Sequence, residues 1–279
     1  MVIRHEDLVG TFEQKKALVS QFNLMDDTFF SVVMEHNDAA EYLLSNLLGK
    51  PMKIIENKTQ YSIRNVESHS IVLDALVEDD EHNLYDVEVQ VGDKNNHERR
   101  IRYYRTAIDW SYLEKGKDFS ELPEVYMIFI SDFDPFDMER VHYKINQYVE
   151  GTSLKYDNGV QIHYFNTKVN DGTFVAEILQ YMKCSDPEND RFGALSKQVN
   201  YHKVQGGVGN MCKAVEEYAK EYAKKYAKEM EEKGKIEGKI EGKIETVKNM
   251  LKDGFSIEKA LKYADIDRLT FDKYAQDIR

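Results

Sequence analysis

Cysteine is scarce. The 279 residues hold two, Cys184 and Cys212, and neither has a second Cys or a His at ligand spacing. That excludes a disulfide framework and a cysteine-based zinc site, and leaves two isolated thiols in a reducing compartment. Proline is scarce too, with four in the chain, so no proline-rich linker separates domains. No apolar run reaches the roughly 18 residues that a membrane span needs. The opening MVIRHEDLVG has acidic residues and no apolar centre, unlike a secretory signal. Together these absences predict a cytoplasmic protein that has no membrane partner. Positive charge is also in deficit: 38 Lys and Arg against 50 Asp and Glu give a net charge of −12. That argues against passive coating of nucleic acid, which relies on a basic surface. It does not exclude an enzyme on nucleic acid, whose metal ligands are acidic and whose basic groups need only be concentrated locally.

What is present supports a sizeable core, with 18 Tyr and 13 Phe. Residues 12–48 carry helical spacing. Phe29, Val32 and Val33 share one face, and Asn37 or Asp38 is the expected cap of the next helix. Ala40, Leu43, Leu44, Leu47 and Leu48 form its apolar stripe, ended by Gly49 and Pro51. Short strands are expected at Ile54–Ile55 and Tyr61–Val66. A hairpin follows, with SIVLDALV at 70–77 and LYDVEVQV at 84–91 joined by a polar turn. Tyr85, Val87, Val89 and Val91 should face one way; Leu84, Asp86, Glu88 and Gln90 should face the other. A helix from His97 to about Leu113 has Ile101, Tyr104, Ile108 and Tyr112 as its inward stripe and carries Arg99, Arg100, Arg102 and Arg105. Apolar VYMIFI at 125–130 and IHYF at 162–165 read as inner strands, and 173–182 as a helix packed by Phe174, Ile178 and Leu179. The order predicts an α/β fold, a mixed sheet with helices on its faces.

Composition shifts at Met211. Two domains are expected, 1–210 and a charged helical region, 211–279. The segment YAKEYAKKYAKEMEEKGKIEGKIEGKIE repeats every four residues, which drifts around a helix and suits no heptad coiled coil. Gly234, Gly238 and Gly242 each weaken a helix by about 1 kcal/mol relative to Ala. GKIEGK lacks the order of a phosphate-binding loop. A small helical tail follows, with Ser256 and either Asp265 or Asp267 as caps.

The chemistry concentrates on the hairpin. A short turn sets Asp74 beside the strand of Glu88, and Glu88 and Gln90 share a face because they lie two apart. Two carboxylates and an amide at one place suit a hard divalent ion, which takes oxygen ligands and keeps waters. The competing reading puts Asp74 on an edge strand and Glu88 and Gln90 on a solvated sheet face.

Asp74 with its apolar flank, followed by Glu88-Val89-Gln90, resembles the PD-(D/E)XK nuclease superfamily. With RRIRYYRTAIDWSYLEKGKDFSELPEVYMIFI after it, the stretch is similar to the Rpn family of recombination-promoting nucleases and transposases, over roughly residues 20–240. The resemblance implies a restriction-endonuclease-like core with a charged helical C-terminal extension. It implies a DNA endonuclease dependent on Mg²⁺, with Mn²⁺ or Ca²⁺ as other candidate ions and weak sequence preference. Asp74 and Glu88 would be the metal ligands, and Gln90 stands where the superfamily usually has lysine. Leu73 replaces the proline of the superfamily name. Glu35 or Glu41, on an early helix, could add a further acid. Arg100 would contact phosphate, with Tyr104 packing or hydrogen-bonding beneath. A nuclease-like scaffold that binds DNA or protein without cutting is the alternative, and whether two copies pair as a homodimer stays open.

Overall fold

The computed structural model describes residues 12–63, 71–92 and 94–274. The expected Val66 end of one strand and Ser70 start of another lie outside them, as do the side chains of Tyr218, Tyr222 and Tyr226. Two compact units divide the chain, residues 1–216 and 217–279.

Among the described residues of the first unit, α1 (Phe12–Gln21), α2 (Asp27–Met34) and α3 (Asn37–Leu48) precede the sheet. His36, not Asn37 or Asp38, holds the cap position of α3, and no side chain caps it. Gly49 ends α3 in the left-handed region, φ 67°, which glycine adopts without Cβ strain. Next come β1 (Ile54–Ile63), β2 (Ile71–Asp79) and β3 (Leu84–Gln90). β1 is thus one long strand with an irregularity between Ile54 and Glu56, where two short strands were expected. The rest is α4 (His97–Tyr112), β4 (Val125–Ser131), β5 (His142–Ile145), β6 (Val160–Asn166), α5 (Phe174–Cys184) and α6 (Gly193–Lys203). β5 and α6 have no counterpart in the sequence reading.

The sheet order is β1-β2-β3-β4-β6-β5. β1, β2 and β3 run antiparallel, β3 is parallel to β4, β4 to β6, and β5 closes the edge antiparallel. β3 to β4 is therefore a crossover through α4, the unit that parallel pairing requires. One face carries Ala75, Val77, Tyr85, Val87, Val89, Ile128, Ile130 and Phe165 under α1, α2, α3, α5 and α6. The other carries Leu73, Leu76, Leu84, Met127, Phe129 and Tyr164 under α4, which inserts Ile101 and Ile108. β3 is covered on both faces, so its polar residues are buried with its apolar ones. Phe174, expected in the core, is 42% exposed. It sits at the first turn of α5, where Thr173 accepts the Ala176 N–H as cap and turns the chain outward.

Alternation fails once in β2. Ile71 and Leu73 belong to the α4 side, whereas Ala75 and Val77 belong to the other. The residue at the slip is Asp74. Across from it, between the pairs Thr59–Ala75 and Tyr61–Leu73, Gln60 takes a left-handed φ of 46°. The kink turns both faces of β2 at one point and leaves Asp74 free of either core.

α7 (Val208–Lys252) starts in the first unit, where Val208, Met211, Cys212 and Val215 are buried with the helices of the first face. In the second unit it packs Ile244 and Val247 against α8 (Ile257–Ala264) and α9 (Arg268–Tyr274), which supply Ala260, Leu261, Ala264 and Phe271. Ser256 caps α8, and Asp267, rather than Asp265, accepts the Thr270 N–H at the start of α9. Among the described residues no helix is long and apolar enough to cross a membrane.

Candidate active site

β2 and β3 pair regularly from Glu78–Leu84 to Ala75–Val87. Beyond that point carboxylates take over the ladder. The Asp74 N–H donates to Glu88 Oε1 at 3.1 Å, and the Val89 N–H donates to Asp74 Oδ2 at 2.9 Å. Each acid is pinned by the other's strand, an exchange made available by the slip at Asp74. The expected adjacency of Asp74 and Glu88 is therefore present. Glu88 is buried, which removes the reading of a solvated sheet face.

α4 brings the remaining expected residues. The Arg100 guanidinium donates through Nη1 to Gln90 Oε1. Its charge also reaches Asp74 and Glu88, where it favours the ionised forms. Tyr104, one turn on, faces the same acids. Burial first, and the Glu88 charge next, push its phenol up to about 12, so it stays a donor. Asp74, Glu88, Gln90, Arg100 and Tyr104 thus meet at one place, where β3 ends.

Two acids were missed. Asp86, two residues before Glu88 on the same face, is fully buried, and its hydrogen-bond neighbour is the Glu88 carboxyl, with no backbone or amide donor reaching either oxygen. Burial, and then the charge of Asp74, hold it protonated well above the carboxylate range; the neighbouring Glu88 carboxyl opposes this. Glu88 is raised well above its ordinary range too, by burial, then Asp86 and Asp74. Asp74 is pushed up to about 7 by burial and next by Asp27, against the Val89 N–H and Arg100. Asp27, at the start of α2, is therefore the early-helix acid near the site, and neither Glu35 nor Glu41 fills that place. Glu35 caps the far end of α2, and Glu41 is spent on the Ile54 N–H at 2.9 Å. Asp86 had a sequence signal, since it alternates with Glu88 and Gln90. Asp27 had none, because only tertiary packing carries α2 to the hairpin.

By donor chemistry the site fits a hard divalent ion. It offers carboxylate oxygens, and one oxygen each of Asp74 and Glu88 is outside the two backbone hydrogen bonds. Yet among the described residues no group of three or more His, Cys, Asp or Glu side chains is disposed to hold a metal. The acids are electrostatic neighbours, but no three of the described ones converge on a single point.

An α/β core with Asp74 on one strand of a hairpin and Glu88-x-Gln90 on the next, backed by a basic helix, defines a PD-(D/E)XK nuclease-like fold. The chain belongs to the PD-(D/E)XK nuclease family transposases, whose family model matches residues 28–173. Neither a curated protein nor a solved structure matches it.

Proposed function

We propose that this chain is a nuclease-fold protein that binds nucleic acid at the Asp74 hairpin without cutting it. The observation that carries this reading is that Asp74, Glu88 and Gln90 are each already held by a hydrogen bond within the site. Asp74 and Glu88 each accept a backbone N–H, and Gln90 accepts from Arg100. Arg100 and its neighbours on α4 supply the positive charge a phosphate backbone needs, through charge-assisted hydrogen bonds that carry no sequence information.

A second reading has its own observation. Asp74 and Glu88 crowd two acids onto one end of a hairpin, an arrangement that costs free energy until a cation joins them. Two carboxylates suffice for Mg²⁺, which keeps its remaining waters. Asp74 and Glu88 would hold the ion, and it would supply charge neutralisation and an acidified water for hydrolysis of a DNA phosphodiester. Tyr104 would keep its proton beside Glu88, Arg100 would orient the phosphate, and Gln90 would position the nucleophile.

One series separates the two. A supercoiled plasmid is incubated at low salt with wild type, Asp74→Ala, Glu88→Ala and Gln90→Lys, with Mg²⁺, Mn²⁺, Ca²⁺ or EDTA, while binding is followed by gel shift. The proposal expects a shift with wild type and no nicking above the Asp74→Ala background under any ion. Nicking that needs Mg²⁺ or Mn²⁺ and falls at least about a hundredfold in both alanine variants would establish the hydrolase instead. Such a drop is ordinary for losing a metal or transition-state contact.

A further inference from the structure

α4 has an outer face as well as an inner one. Arg99, Arg102, Tyr103, Thr106 and Trp110 are all exposed, and their spacing of three and four keeps them on one stripe. The stripe runs about 16 Å along the helix axis, from Arg99 to Trp110. Its aromatic members lie well out of the core, Tyr103 at 40% and Trp110 at 66% exposure. Among the described residues neither Arg99 nor Arg102 forms an ion pair, whereas the nearby Asp109 is matched by Arg105 at 3.6 Å. In a chain of net charge −12 this is a local surplus of positive charge interleaved with rings. It is also continuous with the site, because Arg100 between these arginines turns inward to Gln90.

Granting that nucleic acid is the ligand of the fold, we infer that this outer face of α4 is a platform on which a single strand lays unpaired bases. Rings accept any base by its π-face, and guanidinium groups hold the phosphates between. A duplex hides those faces in its stack and could use the arginines alone. The single-stranded segment would then lead along α4 to the Asp74 hairpin. Arg, Tyr and Trp are also the residues that anchor protein interfaces, so a protein partner is the outcome against which the inference is tested.

Trp110 is the only tryptophan in the chain, so fluorescence excited at the red edge, where the tyrosines do not absorb, reports on this face alone. Full-length protein is titrated with a short oligothymidylate and with a blunt two-strand duplex of equal phosphate count; anisotropy of a labelled strand gives the affinities. Oligothymidylate should quench Trp110 and the duplex should leave it nearly unchanged. Trp110→Ala should weaken single-strand binding about tenfold, equivalent to about 1.4 kcal/mol, and Trp110→Phe should restore most of it. Arg99→Gln with Arg102→Gln should flatten the logarithmic salt dependence by about 1.4, at about 0.7 per phosphate contact on a single strand. Binding that leaves Trp110 fluorescence unchanged, or a Trp110→Ala chain that binds as wild type does, overturns the platform while the nucleic-acid reading stands. Equal quenching by the duplex overturns the preference for unpaired bases. Absence of binding to either ligand removes both readings, leaving the face to a protein partner.

Discussion

Asp86 is the residue whose environment is hardest to satisfy. It is fully buried beside two further acids, and no group other than the Glu88 carboxyl hydrogen-bonds it. Burial of an unpaired carboxylate is costly, so the group keeps its proton. The consequence for stability has a definite sign. A group whose folded pKa is raised binds protons more tightly when folded, so its contribution is lost as pH rises through that pKa. Asp74 completes its loss by about pH 7, and Asp86 and Glu88, both raised well above the carboxylate range, add to it. Buried His163 and His202 act oppositely. Burial lowers both from 6.5 to about 4, so their destabilising effect is gone above pH 6.5. Above about pH 6.5 the histidines add nothing to the slope, and the raised acids pull stability down as pH rises. With EDTA present, the melting temperature should fall as pH rises above about 6.5, and Asp86→Asn should flatten the fall and stabilise the chain on its alkaline side by on the order of 1 kcal/mol. Thermal melts of the two proteins at paired pH values check this. An Asn variant that melts lower than wild type on the alkaline side would mean that the Asp86 charge is used.

At the scale of elements, the hairpin was legible because alternation marks strands, and Glu88 and Gln90 share a face by their spacing alone. Arg100 and Tyr104 were legible in the same way, four apart on a helix. What pattern could not supply was covering. Leu84, Asp86, Glu88 and Gln90 look like a half-polar strand face until α4 is known to lie on it, which is why Asp86 was passed over. The left-handed Gln60 and the slip at Asp74 left no mark either, since neither residue type demands that backbone. β5 escaped because three of its four residues are exposed, so it lacks a strand's apolar rhythm. α7, by contrast, was read from composition, and its glycines give a clean test. A Cβ at Gly234, Gly238 or Gly242 would meet nothing within 4 Å. Replacing all three by Ala should therefore add helix stability of about 1 kcal/mol per site with no steric cost. Slower amide exchange through residues 234–246, with unchanged nucleic-acid binding, is the expected result. Unchanged exchange would show that these glycines do not limit the helix.

At the scale of the whole molecule, two units of unequal strength share one chain. The first has a core on each face of a six-stranded sheet. Among its described residues the second has six buried side chains, of which two are Ala. So small a core buries little apolar surface and should open at a lower temperature than the first. Calorimetry of the full chain should then show two transitions, not one. Where the chain is cut decides whether the upper transition survives. Met211, Cys212 and Val215, in the first turns of α7, are buried in the first unit. A fragment ending at residue 216 keeps them and should melt at the upper transition of the full chain. A fragment ending at residue 210 loses all three and exposes the surface they cover. Truncating one large buried side chain costs about 2–5 kcal/mol, so the shorter fragment should melt many degrees lower or fail to fold. Equal melting of the two fragments would remove the start of α7 from the first core. A single transition in the full chain that disappears from both fragments would show instead that the first unit does not stand without the second.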